Sequence, residues 1–125
     1  MDATNQAAQL DDPDHSSCRA LAAIFNRIGD KWTVMVVGAL SRGPMRYNEI
    51  RRLVDGISQR MLTLTLKGLE QDGLVRRTAY PTVPMRVDYE LTELGRTLIG
   101  PLTGLYDWAM KYGAEIEAAR ANANR

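Results

Sequence analysis

Between Gly73 and Thr92 the apolar residues of the chain change their period, and that change limits the folds open to it. Upstream they recur at helical spacing, as in Leu21, Ile24, Phe25 and Ile28. After Gly73, Leu74 to Tyr80 reads as a strand. From Arg86 to Leu91, Val87, Tyr89 and Leu91 alternate with Arg86, Asp88 and Glu90. Pro81-Thr82-Val83-Pro84 lies between, so the two strands predict a hairpin with an irregular tip. Prolines at both ends of the tip blunt it against further strand pairing. Helices on either side of one hairpin make the fold mainly α with a small β-hairpin.

The helical segments have legible ends. The first is predicted from Cys18 to Ile28, with Gly29 as a left-handed cap. Asp30 caps the second, whose Trp32, Val34, Met35, Val36, Val37 and Leu40 are apolar nearly all round and predict the buried centre of the domain. Beyond Gly43-Pro44, Arg46 to Leu53 forms a short amphipathic helix with Tyr47, Ile50 and Leu53 facing inward. Val54-Asp55-Gly56-Ile57 breaks it, and Ser58 caps a helix that runs to Asp72 and closes at Gly73. Thr92 caps a last helical region to about Glu117, with a break expected at Gly100-Pro101. The chain of 125 residues thus divides into an acidic, disordered tail over 1–17, a single domain over 18–117 and a flexible tail over 118–125.

Charge is distributed unevenly along this order. The net +1 conceals a −4 tail, made by Asp2, Asp11, Asp12 and Asp14, and a basic middle. Residues 42–86 hold nine Arg and Lys against four Asp and Glu, a net +5 that suits a local contact with a polyanion. Within that region the Ser58–Asp72 helix has two faces. At 100° per residue Leu62, Thr65, Leu66 and Leu69 share the core arc. Gln59, Arg60, Thr63, Leu64 and Lys67 share another. In a major groove Gln pairs with adenine, Arg with guanine, and the Thr methyl meets thymine. Lys67 and the N–H groups behind Ser58 suit phosphates. A solvated helix face would carry the same residue types. The order decides between the two: short helix, turn, second helix with a polar stripe, then hairpin is that of a winged helix-turn-helix. Arg46, Thr82 and Arg86 join the candidate DNA contacts, while Arg76 or Arg77 is expected to pair with Asp88 or Glu90 across the hairpin.

Six segments also carry a family resemblance. Ile28-Gly29-Asp30-Lys31-Trp32-Thr33, Tyr47-Asn48-Glu49-Ile50-Arg51 and Gly56-Ile57-Ser58-Gln59-Arg60-Met61-Leu62-Thr63 are the first three. Leu69-Glu70-Gln71-Asp72-Gly73-Leu74-Val75, Tyr80-Pro81-Thr82-Val83-Pro84-Met85-Arg86-Val87 and Tyr89-Glu90-Leu91-Thr92-Glu93-Leu94-Gly95 follow in order. Together they resemble the HxlR family of bacterial regulators over roughly residues 18 to 113. The resemblance implies a homodimeric winged helix-turn-helix that binds inverted repeats in promoters, as repressor or activator. It implies a recognition helix at Ser58–Asp72 and a wing at Pro81–Arg86. It also implies a cysteine before the first helix that senses oxidants or electrophiles in some members. Cys18 lies near that position but is followed by Arg19, where the family commonly has proline.

Leu98, Leu102, Leu105, Ala109, Tyr112 and Ile116 step by fours and threes, a heptad-like seam that a second copy could bury. Leu21 and Phe25 of the first helix and the large ring of Trp108 are expected to join that dimer interface. Cys18 is the single cysteine, so an internal disulfide is excluded. It reads either as a small buried apolar residue or as the candidate sensor. His15, the one histidine, lies in the polar tail and is not read as a metal ligand, and neither a metal nor a cofactor is expected. The absence of a secretory signal and of any long apolar run points to the cytosol, away from membranes. No phosphate loop or nucleophile–base pair suggests an enzyme. A winged helix serving only as a protein-interaction module is the alternative to double-stranded DNA as partner, and no pattern names a small-molecule effector.

Overall fold

A computed structural model describes the backbone of residues 15–124 and the side chains of residues 18–124. Helix α1 spans His15–Ile28 and α2 Lys31–Leu40, followed by a short strand β1, Met45–Arg46. Helices α3, Tyr47–Leu53, and α4, Gln59–Gln71, come next. The hairpin is β2, Val75–Tyr80, with β3, Arg86–Leu91. A single turn α5, Glu93–Arg96, leads to the long α6, Ile99–Ala123. The segment 1–14 and the side chain of His15 lie outside the described residues. None of the helices described is long and apolar enough to cross a membrane.

The core is largely the expected one, although α2 is buried on one side rather than nearly all round: Met35 is exposed and Trp32 and Val34 are half-buried. Val36, Val37 and Leu40 of α2, Ile50 of α3 and Leu62, Leu66 and Leu69 of α4 are sealed from solvent, with Val75 and Leu91 closing the hairpin side. Each such side chain is worth about 1.5–3 kcal/mol of burial. Ser58 caps α4 by accepting from the Met61 N–H at 3.0 Å, and Thr92 caps α5 by accepting from the Gly95 N–H at 3.1 Å. Gly73, with φ +77°, turns the chain out of α4 into the sheet.

Several boundaries depart from those expected. Helix α1 begins at His15, three residues inside the expected tail, and α6 runs on to Ala123 through residues expected to be flexible. The Ala, Glu and Arg residues of 117–123 favour a helix without giving it an apolar period. The break before α6 falls at Thr97–Leu98, and Gly100-Pro101 sits in its first turn, where a missing N–H costs nothing. Gly29 is not left-handed; α1 ends with the Gly29 N–H on the Phe25 carbonyl at 2.8 Å. The Asp30 carboxylate accepts from the Thr33 hydroxyl, at 3.5 Å, rather than from a backbone N–H. Leu53 is exposed, because α3 ends where the core does.

β1 adds a third strand, in the order β1-β3-β2, pairing Met45 with Tyr89 and Arg46 with Asp88. The start of α3 is thereby stitched to the wing. On the opposite side, Arg27 of α1 lies across Gly68, where a Cβ would strike its guanidinium, and donates to Asp72 at 2.7 Å. Gly95 rests on the Leu74 carbonyl, which leaves no room for a Cβ. Gly95→Ala should therefore lower stability in urea unfolding by about 1–3 kcal/mol, the usual cost of overpacking.

Candidate nucleic-acid interface

The buried back of α4 determines what its front presents. Leu62, Thr65, Leu66, Gly68 and Leu69 are buried, and Gln59, Arg60, Thr63, Leu64 and Lys67 are all exposed. The structure therefore puts the polar arc on one open stripe, with Leu64 beside it. Neither Arg60 nor Lys67 takes part in an ion pair among the described residues.

Helix α3 braces this stripe. The Tyr47 hydroxyl donates to the Gln59 carbonyl at 2.8 Å and lies 3.0 Å from Thr63 Oγ1. Glu49 accepts from the Arg46 N–H at 3.0 Å, fixing the entry into α3. Tyr47, expected to be a core residue, is half-buried with its ring inward and its hydroxyl on α4. The apolar spacing found the ring's side; nothing in the sequence located its oxygen.

Between α3 and the wing runs a groove of ≈ 970 Å³. Arg46, Arg52 and Arg86 line it, along with Asn48 and Thr82. The structure thus brings Arg46, Thr82 and Arg86 together, as expected, and adds Arg52, six residues after Arg46 on an exposed turn of α3. An apolar cavity of ≈ 390 Å³ between α2 and α6, which Leu53 lines, lies apart from this groove.

The wing residues are less free than their sequence positions imply. Thr82 donates to the Pro84 carbonyl at 2.8 Å and so ties the turn. Arg86 grips Asp88 with two hydrogen bonds, of 3.1 and 3.0 Å, and its guanidinium sits 5.3 Å from the Tyr80 ring. Residues two apart share a strand face, which is the signal that could have located this pair. Of the cross-hairpin pairings expected for Arg76 or Arg77, Arg76 with Glu90 is the one that forms, at 2.8 Å.

The Arg86 hydrogen bonds hold the Asp88 carboxyl below its usual range, with smaller attraction from the charges of Arg86 and Arg46 and partial opposition from desolvation. A depressed carboxyl stabilises the fold above its ordinary range and loses that contribution as pH falls through its folded value. Asp88→Asn should therefore melt below wild type at neutral pH. The gap in Tm should close as pH drops below the ordinary aspartate value, about 4.

Comparison with known proteins places this geometry. The family model described as HxlR-like helix-turn-helix matches residues 27–117. An HTH-type transcriptional regulator of Methanothermobacter thermautotrophicus is 44% identical over 104 residues, 83% of this chain and 79% of its own length. Among solved structures, the transcriptional regulator ytfH from Salmonella typhimurium superposes with a TM-score of 0.73 at 34% identity, covering 80% of this chain and 89% of that one. The redox regulator HypR in its reduced form gives 0.73 at 38% identity, covering 79% and 98%. With the matched span taking in everything from the end of α1 to most of α6, the chain belongs to the HxlR-like helix-turn-helix family of transcriptional regulators.

Proposed function

We propose that this chain is a cytoplasmic, homodimeric regulator that binds an inverted-repeat operator in double-stranded DNA, with α4 in the major groove. The observation that carries the reading is the open stripe of Gln59, Arg60, Thr63 and Lys67 on a helix whose other face is sealed in the core. Gln59, Arg60 and Thr63 read bases, while Lys67 and the N-terminal N–H groups at Ser58 hold phosphates. Arg46 and the wing's Thr82 and Arg86 flank them on the backbone. Arg86 commits Nε and Nη2 to Asp88, which leaves its Nη1 edge for a phosphate.

The apolar surface left on one copy supports the dimer. Leu21, Ile24 and Phe25 of α1 and Leu105 and Trp108 of α6 are exposed, and no residue of α6 is fully buried. Leu98, Leu102 and Tyr112 are half-buried along the same seam. A twofold axis through these helices sets the two copies of α4 about one DNA turn apart, roughly 34 Å. Likeness to the redox regulator HypR favours an oxidant response through Cys18, half-buried on α1. As the sole cysteine, it would form a disulfide with a second subunit or a small thiol.

Duplex affinity should fall with salt by about 0.9 in log K per log salt for each phosphate contact; a slope near zero would favour the protein-interaction module instead. Arg60→Ala should cost about 1–3 kcal/mol on the specific site and little on random duplex, whereas Lys67→Ala should weaken both alike. Leu105 and Trp108 changed to polar residues should shift sedimentation from dimer to monomer. Under a thiol oxidant, wild type should release its operator and Cys18→Ser should retain it; equal release from both would remove Cys18 as the sensor.

A further inference from the structure

Thr63 stands in the middle of the open stripe of α4, and its hydroxyl proton already has a place. The Tyr47 oxygen lies 2.8 Å from the Gln59 carbonyl and 3.0 Å from Thr63 Oγ1. A carbonyl can only accept, so the single phenolic proton goes to Gln59. With that proton spent, the Tyr47 oxygen meets Thr63 as an acceptor, and Thr63 is the donor. What Oγ1 has left for a ligand is lone pairs, beside the γ-methyl.

We propose that Tyr47 makes Thr63 a one-sided specificity residue: it presents an acceptor and a methyl to the major groove, never a donor, and so rejects a guanine edge. Adenine N6 and cytosine N4 are donors there and thymine carries a methyl, but guanine offers only the acceptors N7 and O6. Lone pairs facing lone pairs repel, and the proton that would relieve them is held toward α3. This rests on the reading that α4 lies in the major groove.

The test starts from a duplex selected by the wild-type chain out of a randomised pool, with all four base pairs then placed at each position of the site. Thr63→Val keeps the methyl and removes the hydroxyl, so it marks the position Thr63 faces: adenine and cytosine lose their advantage there and thymine keeps its own. At that position wild type should bind guanine weakest. Tyr47→Phe frees the proton to turn outward and should raise guanine affinity roughly three- to tenfold, the gain of one hydrogen bond, with other positions unchanged. Thr63→Ser, which leaves Tyr47 intact, should lose the thymine preference and still reject guanine. If Thr63→Val shifts one position while Tyr47→Phe leaves guanine there as weak as before, or weakens every sequence alike, the proposal is overturned and the DNA reading stands. Acceptance of guanine by Thr63→Ser also overturns it. If Thr63→Val changes no position, Thr63 faces no base and the proposal is overturned, whereas only a pool that yields no preferred duplex removes the DNA reading itself.

Discussion

Leu62, Leu66 and Leu69 press the back of α4 against Val36, Val37, Leu40 and Ile50, and everything the helix offers to a partner follows from that seal. A turn of one residue about the helix axis is 100°, enough to bring a buried leucine into water and a polar side chain into the core. Such a slip would forfeit several kcal/mol of burial, more than a typical contact on the outer face returns. The orientation of Gln59, Arg60, Thr63 and Lys67 is therefore set by the core before any ligand arrives.

The rest of the fold keeps other elements in step with that helix. β1 takes only two residues, yet it joins the entrance of α3 to β3 and so to the wing. Tyr47, one residue later, reaches from α3 to two points on α4. Helix, turn, helix and hairpin are thus bound by backbone pairing on one side and a side-chain oxygen on the other. The arginines of the groove sit at fixed positions around α4 rather than on independent loops.

What could be read in advance was what periodicity carries. The two faces of α4 and the switch to strands after Gly73 leave regular spacing in the sequence, and the caps at Ser58 and Thr92 are marked by residue type at the ends of those periods. A pairing across the hairpin followed from the alternation, but not which arginine meets which carboxylate. What escaped lacks such a signature. Two residues of β1 have no period, and the Ala-rich end of α6 has no apolar stripe. Gly29 has the composition of a left-handed cap but closes its helix by a close approach to the Phe25 carbonyl. For Thr82 and Arg86 the sequence showed placement and not occupation: both lie in the wing as expected, and both already hold partners in their own chain. The Tyr47 oxygen belongs to the same class, since a ring's inward side can be inferred from spacing while the reach of its hydroxyl depends on the angle between two helices.

At the far end of α4, Arg27, Gly68 and Asp72 form a joint in which no member is independent. Asp72 puts a carboxylate at the C-terminal end of a helix, where the dipole disfavours it, and the Arg27 guanidinium offsets that charge. It reaches Asp72 only by lying over a residue without a Cβ. A side chain at 68 would displace the cation and leave the anion at the wrong pole. Loss of Arg27 would make room at 68 but give Asp72 nothing to answer it. The tolerance of each of these three positions to substitution is thus conditional on the other two. The effects of substitutions at 27, 68 and 72 should therefore be coupled rather than additive.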